Sequence, residues 1–360
     1  MKLLYLLSFS LFISISSAYT QKNPFLNQWD TSPVEGAFQM EDYIVWGGSV
    51  IQGEDNLYYM FASRWPKHLG MSAWVTNSEV VLAVADNPEG PFKFKQVVLP
   101  ARGKEFWDGM MTHNPNIQYH DGKYVLFYIG INYEFDQPDQ IAPTRELYEE
   151  AWNHKRIGVA VAESPTGPWK RMEEPILQPR PGQWDGAIIS NPAPFVHEDG
   201  SVLLVYKSAP VPYPARNQNR TMTFGVATAK HYWGPYERKG EDNQIKLLPI
   251  SSDVEDPYIW YDGSQYHMLA KCMNAAITGE SGAGFYASSE DGVVWTTPEN
   301  PAAYSRTLTL SNGETVEFPK LERPQVLVQH GHPTHVYFAA RNPEGNIFNM
   351  VRPLKSEPKE

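Results

Sequence analysis

The sequence predicts an all-β protein, a five-bladed β-propeller with four-stranded antiparallel blades. Three observations predict it. Trp-Asp-Gly followed by Asn-Pro occurs twice in one register, in WDGMMTHNP from Trp107 and in WDGAIISNP from Trp184. Asp108 and Asp185 are 77 residues apart, and so are Asn114 and Asn191. Weaker copies of the same unit run along the rest of the chain, and repetition at a fixed period is the mark of a repeat architecture. The composition agrees: 13% aromatic residues with 30 prolines and 26 glycines suit short strands joined by tight turns.

The unit is a strand, a turn around Asp-Gly or its equivalent and an aromatic-rich strand, then a variable loop, an alternating strand and a turn before an aromatic. Blade one is read in GGSVIQGEDNLYYMFASRW (47–65) and SEVVLAVADNPEGPFKF (78–94), and blade two in 107–130 and 155–171. Blade three occupies 184–208 and 221–238, blade four 255–272 and 282–297, and blade five 322–353. The anchors Ser49, Asn114, Asn191, Asp256 and Arg323 are spaced by 65, 77, 65 and 67 residues. Five sheets of this size predict propeller blades. Residues 137–155 break the alternation with helix formers after a proline and read as a short helix inserted in blade two. Residues 19–45 are expected to pair with the last blade and close the ring, since an open ring leaves edges exposed.

The N-terminus has a lysine at position 2, an apolar run from Leu3 to Ile15 and the small residues Ser16-Ser17-Ala18. That pattern is a secretory signal peptide, too short to span a membrane. The expected organisation is therefore a signal peptide (1–18) and a single propeller domain (19–360), periplasmic or secreted, without a membrane anchor. Cys272 is the only cysteine, so no intrachain disulfide can form. A net charge of -11 argues against nucleic acid as a partner. No zinc-ligand spacing, GxSxG or phosphate loop is present. HGHPTH (330–335) falls in the turn between two strands of the last blade, and neither a metal nor a cofactor is expected.

In a propeller the innermost strands start around one axis, so polar residues at those starts converge. The paired starts are His113-Asn114, Ser190-Asn191, Glu255-Asp256 and Glu322-Arg323, each followed by proline. Proline suits a strand start, where no ladder donor is needed. Turn chemistry alone accounts for Asn114 and Asn191 but not for Glu255, Glu322 or Arg323. Several carboxylates near one axis are what glycoside hydrolysis requires: one protonated to release the leaving oxygen, another ionised to activate water or attack the sugar. Trp-Asp-Gly lies six residues before the strand start, so Asp108 and Asp185 are either turn residues or part of the pocket. The stretch FASRWPKHLGMSAWVTNSE (61–79) reads as a long loop of blade one, with Arg64, Trp65, His68, Trp74 and Glu79 offering stacking faces and charged groups. Lys207 and Lys271 close the second strands of blades three and four. With Arg323 they hint at a carboxylate or sulfate on the substrate.

The repeat, with DPYIWYDGSQYHML (256–269) as its clearest copy, resembles the five-bladed glycosidases of families 43, 32 and 117 over the whole chain after the signal peptide. The resemblance implies three acids from different blades. Asp256 corresponds to the Asp that tunes the acid. Glu322 corresponds to the general acid, similar to the family 117 agar-sugar hydrolases. Asp108 is the first choice and Asp185 the second for the water-activating base. Blade one has Trp-Gly-Gly-Ser (46–49) where the family 43 pattern has Asp-Pro. The implied function is an exo-acting, inverting hydrolase of plant or algal oligosaccharides, with a base-to-acid separation of about 6.5–9.5 Å. A glycoside phosphorylase and a non-catalytic glycan-binding propeller stand as alternatives.

Overall fold

The computed structural model describes residues 23–214, 222–244, 246–248 and 254–355. The expected signal peptide lies outside them. The described residues form five antiparallel sheets arranged as a propeller. Blade one runs Tyr43–Gln52, Tyr58–Pro66, Glu79–Ala85 and Lys93–Leu99, hydrogen-bonded in that order. Blade two is Met111–His120, Lys123–Ile131, Arg156–Ala162 and Lys170–Arg171, and blade three Ile188–Val196, Val202–Ala209, Thr223–Ala229 and Glu237–Gln244. Blade four is Val254–Tyr261, Tyr266–Cys272, Ala283–Ser289 and Val294–Thr296. A further short strand, Lys246–Leu248, runs parallel to its outer edge. Blade five has the strands Lys320–Gln329, His332–Arg341 and Ile347–Pro353.

The fourth place in blade five is taken by the start of the chain. Phe38 forms an antiparallel bridge to Asn349, and Trp29 forms one to Leu354. The described part of the segment expected at 19–45, from Asn23 on, thus covers the outer edge of the last blade; residues 19–22 lie outside the described residues. Neighbouring blades bury apolar side chains against each other all the way round. Phe61 and Leu82 of blade one meet Leu126 and Tyr128 of blade two, while Leu327 and Tyr337 of blade five meet Val45 and Met60 of blade one. The last interface also takes in Ala37 and Phe38, so its apolar packing extends into the N-terminal segment.

The blade-two insert is helical at Arg145–Asn153, capped by Thr144, whose hydroxyl accepts the Leu147 N–H. Its apolar face, Leu147, Ala151 and Trp152, packs on Val75, Met110 and Ile129. Two features differ from the sequence reading. Residues 61–79 are not a long loop. The second strand continues to Pro66, two 3-10 turns follow at Lys67–Leu69 and Met71–Ala73, and a helical turn spans Trp74–Asn77. Residues before blade five carry a small hairpin, Thr307–Thr309 with Thr315–Glu317.

The inner strands share one irregularity. In each blade the pairing with the second strand slips at the strand start, between Trp46 and Ser49, His113 and Asn116, Glu255 and Tyr258, and Glu322 and Gln325, with the matching slip in blade three at Val205/Lys207. These are β-bulges, two residues facing one. The first bulge residue is left-handed in all five: Gly47 (φ 58), Asn114 (50), Asn191 (49), Asp256 (55) and Arg323 (55). The second is proline in four of them, which fits because a bulge leaves its nitrogen unpaired. The anchor in blade one is therefore Gly47, two residues before the Ser49 expected from the spacing. Four side-chain-bearing residues in this conformation each carry a cost of about 1–2 kcal/mol, and such strain collects at functional sites.

Candidate active site

The five bulges build two rings at one end of the axis. The left-handed positions form the floor: Gly47, Asn114, Asn191, Asp256 and Arg323. Their side chains meet across blades. Asn114 Nδ2 donates to Asn191 Oδ1 at 3.3 Å, and Asn191 Nδ2 donates to Asp256 Oδ1 at 2.5 Å. The Arg323 backbone N–H donates to Asp256 Oδ2 at 3.3 Å. The residues just before them form the rim: Trp46, His113, Ser190, Glu255 and Glu322.

A cavity of about 280 Å³ opens on these rings, just below the about 300–1,000 Å³ usual for small-molecule sites. Carboxylates enter it from Glu255, Asp256 and Glu322, and indoles from Trp46, Trp65, Trp74 and Trp152. Register explains the lysines: Lys207 pairs with Ser190 and Lys271 with Glu255 on the adjacent second strands. Lys271 Nζ donates to Glu322 Oε1 at 2.7 Å and lies 3.9 Å from Glu255 Oε2. Lys207 Nζ lies 3.6 Å from Glu255 Oε1, and Lys320 Nζ 3.7 Å from Glu322 Oε1. Cations and carboxylates thus alternate along one wall.

The electrostatics follow from that alternation. Burial pushes the Asp256 carboxyl up, but Lys207, Arg323 and Lys271 outweigh it and hold Asp256 below the ordinary carboxylate value, so it is ionised at neutral pH. Burial pushes the Lys271 ammonium down, while Glu322, Asp256 and Glu255 raise it further, to above its ordinary value. Burial, reinforced by Arg323 and Lys155, drives the His113 imidazole well below its ordinary value. His113 is therefore neutral, and its Nδ1 is 2.7 Å from Ser78 Oγ.

The neutral histidines predict an acid-sensitive fold. His335, pushed down to about 4 by burial, and His113 both titrate near about 6.5 once unfolded. Between those values the unfolded chain binds more protons, so stability is expected to decline as pH falls from about 6.5 towards 4. Urea midpoints across that range check this, and a flat profile contradicts it.

His113, Asn114, Asn191, Lys207, Glu255, Asp256, Glu322 and Arg323 all reach the cavity, as do Trp65 and Trp74. Lys271 stands behind Glu255 and Glu322. Lys271 and five more of the expected site residues, Arg64, His68, Glu79, Asp108 and Asp185, do not line the cavity. Arg64 is stacked over Tyr43 and Phe94 at 4.1 and 4.5 Å, and it pairs with Glu79 at 2.8 Å. The two occupy directly opposed places on neighbouring strands. His68 is exposed and its ring contacts the Asp139 carbonyl. Trp65 is fully buried, its indole N–H bonded to Gly70 O, so it backs the cavity wall rather than offering a face.

Asp108 and Asp185 are the largest correction. Both are completely buried outside the cavity. Asp108 is held by Arg102 Nε at 2.7 Å, Tyr128 Oη at 2.6 Å and Arg171 at 3.4 Å. Asp185 is held in the same way by Arg180 and Arg238, each at 2.8 Å, and by Tyr206 at 3.4 Å. The tryptophans before them stack on those tyrosines, Trp107 on Tyr128 and Trp184 on Tyr206. Asp108 does not line the cavity, and in both copies of the phrase the aspartate latches two arginines and a tyrosine inside its blade. The indoles also need a bare backbone beneath them: a Cβ at Gly158 would fall 2.5 Å from Trp107, and one at Gly225 2.5 Å from Trp184. Gly158→Ala is expected to cost about 1–3 kcal/mol through overpacking, measured by urea unfolding, with catalysis by the folded protein unaltered.

Sequence reasoning missed Trp46, Trp152, Lys155 and Lys320. Lys155 Nζ sits 3.3 Å over the Trp152 ring. Both come from the insert at 137–155, where helix formers after a proline flagged a helix but not where its C-terminal end would lie. Trp46 and Lys320 flank bulges, so only the bulge register would have revealed them.

No protein-family model matches the chain, and no curated protein matches it. Solved structures do. A family 117 glycoside hydrolase produced by the marine bacterium Zobellia galactanivorans superposes with a TM-score of 0.61 at 16% identity, covering 93% of this chain and 91% of that one. A thermostable family-43 glycoside hydrolase gives 0.57 at 16% identity, over 92% and 98% of the two chains. An exo-1,5-α-L-arabinanase from a bovine ruminal metagenomic library gives 0.53 at 14% identity, over 87% and 97%. At these identities the likeness is one of fold, and the fold that this chain shares with structures of families 117 and 43 is the five-bladed propeller.

Proposed function

We propose that the protein is a glycoside hydrolase that releases one terminal sugar from plant or algal oligosaccharides. The observation that supports this most is the convergence of Glu255, Asp256 and Glu322, from two adjacent blades, with Trp46, Trp74 and Trp152 in a cavity sized for about one sugar ring. Glu322 is the proposed acid. Both of its ammonium contacts fall on Oε1, which leaves Oε2 for the glycosidic oxygen. Asp256 supplies a fixed negative charge beneath the oxocarbenium-like transition state. With Asp108 removed from consideration, Glu255 is the proposed base. Its side chain is 31% exposed, so water can reach it. Water attack in a single displacement inverts the anomeric configuration, which NMR of the first-formed product reads.

The excess of cations around the acid favours one second reading, phosphorolysis. The test covers both: monosaccharide release from a panel of plant and algal oligosaccharides, with and without phosphate. Release without phosphate is expected. Strict phosphate dependence would assign a phosphorylase, and glycan binding without release a binding module. The apolar run from Leu3 to Ile15 supports export to the periplasm or medium, checked by fractionation of cells producing the full chain.

A further inference from the structure

The floor ring of the cavity does not close. Hydrogen bonds link Asn114 to Asn191, Asn191 to Asp256, and Asp256 to the Arg323 backbone. Between Arg323 and Asn114 stands Gly47, with no side chain. Asn114 Oδ1 borders that gap, as do the Arg323 Cβ and Cγ, and neither Asn114 Oδ1 nor any of the three guanidinium nitrogens of Arg323 has a hydrogen-bond partner among the described residues. Arg323 is 1% exposed. The nearest carboxylate oxygen, Asp256 Oδ1, is 3.8 Å from Nη1, beyond hydrogen-bond reach.

A guanidinium offers five N–H donors in a planar fork. Burying them with none engaged is costly, because each has left water without replacement. Asp256 balances the charge but satisfies none of the donors. The gap is shaped to admit something small. A Cβ at Gly47 would lie 3.5 Å from Asn114 Oδ1 and 3.7 Å from Arg323 Cβ and Cγ, ordinary contact distances rather than clashes. The cavity is also cationic in an acidic chain. Lys155, Lys207, Lys320 and Arg323 line it against Glu255, Asp256 and Glu322, while the whole chain carries a net charge of -11.

We infer that Arg323 and the niche at Gly47 form an oxoanion site in the floor of the cavity, taking a carboxylate, sulfate or phosphate group beside the reacting sugar. The planar fork suits two parallel hydrogen bonds to such a group, and Asn114 Oδ1 accepts from a hydroxyl next to it. The anion is either a substituent on the sugar or free phosphate. That the site serves a sugar rests on the hydrolase reading, but the anion site itself does not.

The test is calorimetric titration of the full-length protein with uronic acids and sulfated monosaccharides, each against its neutral parent, and with inorganic phosphate. Wild type, Arg323→Met and Gly47→Asp are compared, with thermal midpoints as the folding check. Gly47→Asp places a carboxylate in the niche. The backbone there is one that Asp256 already adopts in its own blade, so this variant keeps the test open if Arg323→Met fails to fold. At least one anion is expected to bind wild type tenfold or more tighter than its neutral counterpart, or, for phosphate, to bind measurably, and both variants should abolish this. The inference is overturned if no anion is preferred, or if the preference survives in both folded variants. Anion preference without cleavage of any glycoside keeps the site and overturns the hydrolase reading. Cleavage of neutral glycosides without anion preference does the reverse. Phosphate that binds through Arg323 and is required for turnover keeps the site, identifies phosphate as its ligand, and replaces hydrolysis with phosphorolysis.

Discussion

Asp108→Asn is expected to lower the unfolding free energy by about 3–5 kcal/mol, the usual cost of removing one partner from a buried ion pair. Among the described residues, Asp108 is the only acid paired with both Arg102 and Arg171, and it is fully buried. The Arg171 side chain is 8% exposed, so its charge would be left with little access to water. Asparagine keeps the shape and loses the charge, which separates electrostatics from packing. Urea unfolding measures the loss, and assays well below the unfolding transition measure what remains of catalysis. A variant that folds with wild-type stability but loses activity would restore Asp108 as a base. Asp185→Asn, with Arg180 and Arg238 in the corresponding places, should behave alike. The two effects should add, since the latches sit in different blades.

The contrast between the two aspartates and Asp256 shows what the chain reveals before it folds. Blades were legible because each repeats a local pattern of strand, turn and aromatic strand, and local patterns survive in one dimension. The floor ring was legible in four blades for a similar reason, because a polar residue before proline marks the bulge; in blade one, where Gly47-Gly48 replaces that pair, the spacing pointed two residues too far, to Ser49. Depth was not legible. Trp-Asp-Gly lies close in sequence to the axial residues, yet its aspartate is turned into the blade, where arginines from the strand or turn on either side reach it. Those arginines were part of the repeat. Arg102 and Arg180 precede the two phrases, and Arg171 and Arg238 end the Gly-Pro-aromatic segments. A carboxylate that recurs with two arginines in blades two and three is the pattern of an ion-pair latch built into the repeat. Lys155 and Trp152 posed the opposite difficulty. They belong to an insert found in one blade only, so no repeat could locate them, and only packing against Val75 and Met110 brings them to the cavity.

Glu322→Gln is expected to reduce turnover of natural oligosaccharides by about 10²–10⁴-fold, the usual worth of a positioned general acid. Lys271 touches only Oε1, and glutamine preserves an oxygen that can accept the same bond, but it removes the charge that does most to hold the buried Lys271 ammonium above its ordinary value, so rates are compared well below the unfolding transition. The loss should depend on the leaving group. An alkoxide leaving a sugar needs a proton in the transition state, whereas a nitrophenolate hardly does. Nitrophenyl glycosides of the released sugar should therefore retain most of their turnover in Glu322→Gln. Glu255→Gln should slow both substrate types alike, because water must be activated whichever group departs. An equal loss on both substrates in Glu322→Gln would instead give Glu322 a role in holding the sugar. A preserved rate on oligosaccharides would remove it from the chemistry altogether. Leaving-group dependence is the more telling readout, because destabilisation or weakened binding lowers both rates together and only a missing proton donor separates them.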